Sequence, residues 1–165
     1  MKNYVGVAVS IGVLAGIWTQ VSSSLELVTW VGFLAWACYF AAGGGRVGFT
    51  RGLAANLSGL AYGWLVAAFL HVASFPGALA IAVGVVAALM CLQAGWAPLS
   101  FIPGAFVGAA AYFGTAFGFW PTAIALVVGA LLGWASGVLG ARIQSAVAGR
   151  APSAEPPVAP AQAAA

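Results

Sequence analysis

The chain has 165 residues, of which 64% are hydrophobic and 4% charged, with a net charge of +3. A soluble domain carries about 25% charged residues, so this chain cannot make a water-exposed surface. Five basic residues are too sparse for nucleic-acid binding, and one His, two Glu and no Asp leave little with which to build acid–base, metal or redox chemistry.

Six apolar runs follow one another, at residues 4–21, 27–42, 49–70, 77–92, 99–117 and 121–141. A helix crosses the hydrocarbon of a bilayer with about 20 apolar residues. The third and sixth runs are ample. The second and fourth are short and require flanking aromatics or local thinning of the bilayer. Lys2 before the first run and Val21-Ser-Ser-Ser24 after it imitate the flanks of a signal peptide, but the run is too long for one and is read as a span. Ser22–Ser24 forms the first turn and is expected to cap the next helix, with Glu26 near its start. Gly43-Gly-Gly-Arg46 ends the second span and reverses the chain. It has no following Gly-Lys-Ser/Thr, so it is no phosphate loop. Phe75-Pro-Gly77 breaks the chain at its middle, Pro98 opens the fifth span and Trp120-Pro121 the sixth. The membrane domain is therefore set at residues 1–142. Residues 143–165, rich in Ala and Pro, are expected to be a disordered cytoplasmic tail, with the stretch from Arg142 to Arg150 a candidate extension of the last helix into the headgroups.

Charge placement orients the spans. Lys2, Arg46, Arg51, Arg142 and Arg150 all fall on one side of a six-span arrangement, and no Lys or Arg falls on the other. The positive-inside rule then puts both termini in the cytoplasm.

The six runs also read as one three-span unit written twice, at about residues 5–72 and 77–141. Gly12–Trp18 corresponds to Gly84–Met90, Thr29–Phe33 and Tyr39-Phe40 to Ser100–Gly104 and Tyr112-Phe113, and Gly59–Trp64 to Gly129–Trp134. Three is odd, so the second unit enters the bilayer from the opposite side. The expected fold is all-α and polytopic, with six transmembrane helices as two inverted three-helix repeats, a plan that builds sites near the midplane.

Glycines at four-residue intervals (Gly12/Gly16, Gly59/Gly63, Gly104/Gly108, Gly114/Gly118, Gly129/Gly133/Gly137) are first of all helix-packing contacts. Trp18, Trp30 and Trp120 lie near span ends and are expected to anchor at the headgroups. Trp36, Tyr39, Tyr62 and Tyr112 lie deeper, where their N–H and O–H groups need partners, either in packed interior or along a wet path. Asn56 is expected to make an interhelical hydrogen bond or to line the same path. Pro103 is read inside the fifth span, next to Ser100. There it either kinks the helix or frees the Leu99 carbonyl for a solute. His71 is an interfacial residue or a pH gate. Cys38 and Cys91 form no CxxC pair, so neither a disulfide nor a metal site is expected. No cofactor is expected.

Gly12–Trp18, the stretch Thr29–Ala41, Met90-Cys-Leu-Gln-Ala94 and, most specifically, the Ser100-Phe-Ile-Pro-Gly104 block within Leu99–Gly108 resemble the domain of unknown function 1097 family. The resemblance covers most of residues 5–141. It implies a small multi-span protein of the bacterial inner membrane, and no transferable activity or catalytic residue.

The functional expectation is a membrane channel or facilitator, not an enzyme, for a small neutral or weakly acidic solute. A charge-free aromatic interior excludes hydrated ions, while a few amides and hydroxyls replace part of a solute's water shell. The pathway residues are expected to be Trp36, Tyr39, Asn56, Tyr62, Ser100, Pro103 and Tyr112. The expected partners are the lipid bilayer, the solute and a possible second copy of the chain. The alternative is a non-transporting accessory subunit that packs beside a larger membrane complex through its glycine faces.

Overall fold

A computed structural model describes residues 4–148, all helix and turn with no strand among them. Six α-helices run in order: α1 Val5–Ser24, α2 Thr29–Ala41, α3 Gly45–Val72, α4 Ala78–Leu92, α5 Ile102–Gly114 and α6 Phe119–Ala148. Two short 3-10 turns, Gln93–Gly95 and Ala97–Leu99, join α4 to α5. Helices α1, α3 and α6, and α4 with its first 3-10 turn, are long and apolar enough to cross a membrane, whereas α2 and α5 are shorter apolar helices.

The two short helices are also the innermost. Each has 13 residues, about 20 Å of helix, and six of the 13 are buried in each. In α4, by contrast, only Ala78, Ala82 and Met90 are buried. Hydrocarbon does not drive helices together, so which faces meet is decided by how closely backbones can approach. Glycine decides it here. Helix α5 crosses α3 where a Cβ on Gly59 would strike the Ala105 carbonyl, and where one on Gly108 would strike that of Asn56. Helix α2 crosses α6 where a Cβ on Gly129 would strike the Gly32 carbonyl. One turn further on, Gly63 faces the Tyr112 ring and Gly133 faces the Tyr39 ring. Around these crossings Val31, Ala35, Leu60, Ala111, Tyr112, Ala125 and Leu126 form the main core.

The outer helices differ in how tightly they are held. Helix α1 lies on α6 with Gly6 against the Gly140 carbonyl, and Ser10 Oγ donates to the Ser136 carbonyl at 2.9 Å. Helix α4 leans on α3 and α5 through apolar contacts such as Met90 on Ala105 and Ala109, with Tyr62 and Phe113 beside them. Apolar clefts of about 260 and 190 Å³ flank it.

Several expectations need correction. The fifth helix starts at Ile102, so Pro103 is its second residue and is exposed. A proline there removes a donor that no helix would use, and the expected kink is absent. Ser100 lies before the helix, and its Oγ donates to the Ala97 carbonyl at 2.8 Å. Trp18 is not at the lipid surface. It is buried, fills the gap left by Gly32, and its Nε1 donates to the Thr29 carbonyl at 3.0 Å. Trp30 and Trp120 are exposed, as expected of anchors. No side chain caps α2. Ser22 Oγ instead pairs with Thr29 Oγ1 at 2.7 Å. The last helix runs on to Ala148, into the stretch read as its candidate extension. The rest of the expected tail lies outside the described residues.

Candidate functional site

His71 lies twenty residues beyond Arg51 on α3, about 30 Å along the axis, which is the thickness of the hydrocarbon core. Gly59 and Gly63 fall at the centre of that interval. On α6, Trp120 and Arg142 bracket a similar length around Gly129 and Gly133. Both crossings therefore sit at the middle of the apolar slab, and the expected pathway residues are arranged around them.

Trp36 is buried, and its Nε1 donates to Ser136 Oγ at 2.9 Å. Ser136 in turn donates to the Gly133 carbonyl at 2.8 Å, while Ser10 donates to the carbonyl of Ser136. One polar chain thus ties α1, α2 and α6 together. Ser136 escaped the sequence reading. The signal was there: a small hydroxyl within the Gly129/Gly133/Gly137 stretch, and an indole in the interior that needs an acceptor. Tyr39 packs on Gly133 and Gly137, and its hydroxyl accepts the Gly45 N–H at 2.8 Å. That N–H is the first of α3 and has no partner within the helix. The turn beneath it needs glycine, because Gly43, Gly44 and Gly45 all have positive φ.

Asn56 is completely buried, and neither its Nδ2 nor its Oδ1 has a hydrogen-bond partner. The polar group offered to it across a helix interface is the weak thiol of Cys38 on α2, while the α5 backbone that faces this turn of α3 belongs to Gly108, which brings no side chain. An unpaired amide in an apolar interior costs about 1–3 kcal/mol, so this position is held at a cost. Two residues on, Ser58 Oγ accepts from Gln93 Nε2 at 3.2 Å and ties the α4–α5 turn to α3. Tyr62 is half-buried and packs beside Met90, Ala105 and Ala109.

Tyr112 packs on Gly63 and lines a cleft of about 420 Å³ with Ala67, Leu70, His71 and Phe117. The turn that carries Phe117 is strained. Ala116 and Phe117 are consecutive non-glycine residues with φ of 51° and 68°, a conformation that costs of order 1–3 kcal/mol each. It is held by Thr115 Oγ1 and Thr122 Oγ1, 2.6 Å apart, and by the Phe117 N–H donating to the Tyr112 carbonyl at 3.0 Å.

The expected pathway residues thus divide. Trp36, Tyr39, Asn56 and Tyr112 surround the two crossings, Tyr62 sits at their flank, and Ser100 and Pro103 belong to the entry of α5. The crossings themselves are closed, backbone against backbone.

A bundle of long apolar helices around short inner ones, with few buried polar groups, defines an α-helical membrane protein. The chain belongs to the family described as "Protein of unknown function (DUF1097)", whose model matches residues 8–141. It is 37% identical to "Inner membrane protein YcdZ" of Escherichia coli (strain K12), over 82% of this chain and 84% of that protein. It is 38% identical to the protein of the same name from Salmonella typhimurium, over 68% of this chain and 72% of that one. It is 32% identical to "Uncharacterized protein YahC" of Escherichia coli (strain K12), over 91% and 98%. No solved structure gives a significant match.

Proposed function

We propose that this inner-membrane protein is a facilitator for a small neutral or weakly acidic solute, built from two oppositely inserted three-helix repeats with both termini in the cytoplasm. The observation that carries the reading is an exchange of partners at the two crossings. Gly59 on Ala105 and Gly63 on Tyr112 join α3 to α5; Gly129 on Gly32 and Gly133 on Tyr39 join α6 to α2. The glycines are seventy residues apart in sequence and their partners 73 apart. Such an exchange is what a two-fold axis in the bilayer plane would produce. The outer helices support it: Gly6, Ser10 and Trp18 of α1 are buried, as are Ala78, Ala82 and Met90 of α4, each 72 residues later. Repeats related in this way frame sites near the midplane.

In this reading the structure is the closed form. Helices that meet at glycine slide or part with few side chains to repack, and parting α3 from α5 uncovers Asn56 to a passing solute. An amide without a partner is a ready donor and acceptor for such a solute, and its waiting cost is recovered when a solute binds. Purified protein in liposomes, followed by stopped-flow light scattering with urea, glycerol, acetamide, acetate and ammonia, tests the proposal. Permeability above that of empty liposomes for at least one solute is expected. Folded protein that raises none of them contradicts it.

The accessory-subunit reading has one observation in its favour. Gly12, Gly16 and Gly84 face outward with nothing within 4 Å, and such faces suit a neighbouring helix. Native mass analysis after gentle extraction separates the two: a stable hetero-complex without flux supports the accessory role.

A further inference from the structure

We propose that the cleft at the His71 end of α3 is a binding site for a short-chain monocarboxylate, held by His71 and Tyr112. The proposal names the solute class of the facilitator reading and takes from that reading only the sidedness of the cleft. Its volume, about 420 Å³, falls in the range of small-ligand sites. Its wall combines three apolar side chains, Ala67, Leu70 and Phe117, with two that carry hydrogen-bonding atoms, His71 and Tyr112.

The Tyr112 ring belongs to the core, but neither polar group is bonded within the fold. Among the described residues the Tyr112 hydroxyl and the His71 imidazole make no hydrogen bond. Tyr112 is 3% exposed as a residue, yet its hydroxyl is not one of the fully buried, partnerless polar atoms of the bundle, so it stays accessible from the cleft. The turn that shapes the cleft is the strained Ala116-Phe117 pair, which brings the Phe117 ring 5.7 Å from that of Tyr112. Strain of this kind persists where the surroundings over-determine it, and it clusters at ligand sites.

The chemistry selects the ligand. An imidazole N–H and a phenol O–H both donate, and a carboxylate accepts two such bonds side by side. No carboxylate lines the cleft, so an anion meets no repulsion and an amine finds no counter-ion. The three apolar walls leave room for a few methylenes. Other clefts lack this combination: those beside α4 are lined by aliphatic side chains and Phe, with Met90 in one of them.

Saturation-transfer NMR on the full-length protein in phosphatidylcholine nanodiscs tests the site, with butyrate, butyramide and butylamine as probes. Saturable binding of butyrate is expected, weaker binding of butyramide and none of butylamine. Tyr112→Phe keeps the ring on Gly63 and deletes only the hydroxyl. It should weaken butyrate about tenfold or more, the loss of one bond to a charged group, and leave the melting temperature unchanged. His71→Ala should weaken butyrate similarly. Equal affinity for all three probes, or undiminished butyrate binding in Tyr112→Phe, overturns the proposal. Binding confined to decanoate and longer acids assigns the carboxylate to a fatty acid of the bilayer and overturns the solute assignment. Butyrate binding without flux in liposomes leaves this site standing and removes the facilitator; flux of another solute without butyrate binding does the reverse.

Discussion

Substituting Gly59 by Ala tests the crossing at the middle of the bundle. The new Cβ would overlap the Ala105 carbonyl and lie 2.6 Å from its carbon and 2.9 Å from its Cα. All three obstacles are backbone, so no rotamer change relieves them, and α3 and α5 must move apart. A gap of about 0.5–1 Å forfeits a quarter to a half of the dispersion well for each contact it opens, and overpacking of this kind costs about 1–3 kcal/mol. Alanine returns up to about 1 kcal/mol of helix propensity. The net expectation is a loss of about 1–2 kcal/mol, roughly a 5- to 30-fold drop in the folding constant. Gly129→Ala meets the Gly32 backbone in the same way and should lose a similar amount. Gly12→Ala and Gly84→Ala meet nothing within 4 Å and should be neutral or slightly stabilising. Reversible unfolding in mixed micelles, with all four variants side by side, gives the comparison. Equal stability of Gly59→Ala and Gly12→Ala would refute the close crossing.

Four further outcomes follow from the same contacts. Ser136→Ala leaves the buried Trp36 Nε1–H without an acceptor, so the same unfolding assay should show a loss of about 1–3 kcal/mol. Asn56→Leu removes an amide with no polar neighbour stronger than the Cys38 thiol, so stability should hold within about 1 kcal/mol or rise, while solute flux in liposomes falls. Tyr39→Phe uncovers the first N–H of α3 and should cost about 1 kcal/mol, with faster hydrogen exchange at Gly45. Of the two free thiols, Cys38 is buried and Cys91 exposed. Native protein in detergent should therefore take up one maleimide, and Cys91→Ser should abolish that labelling until the protein is denatured.

The number and type of elements were legible in the sequence because hydropathy reports solvent directly. All six apolar runs became helices, and Gly43-Gly-Gly45 and Phe75-Pro-Gly77 became the turns that their backbone freedom predicts. What hydropathy does not encode is depth within the bundle. Trp18 near a span end looks like an anchor, yet Gly32 across the interface opens a hole that its indole fills, and such a hole belongs to a pair of helices, not to one run. Pro103 misled for a related reason. An apolar turn before a helix carries the same composition as the helix, so the boundary was set too early and an opening proline was read as an interior one. Polar partners were hardest to foresee: Ser136 with Trp36 and Ser58 with Gln93 are 100 and 35 residues apart. The glycine intervals Gly59/Gly63, Gly104/Gly108 and Gly129/Gly133/Gly137 pointed to the contacts that close the bundle, whereas Gly12/Gly16 faces outward and meets nothing.

The two-repeat architecture is tested most directly by the sidedness of its turns. Single cysteines at Gly44, Ser74, Trp96 and Ala116, introduced after replacing Cys38 and Cys91 by Ser, are probed with an impermeant maleimide in right-side-out vesicles. Labelling of the Ser74 and Ala116 positions from outside, with the Gly44 and Trp96 positions reached only after permeabilisation, is the predicted result. Labelling of the Gly44 and Ser74 positions from the same side would mean that α3 does not span the bilayer, and would contradict the inverted pair.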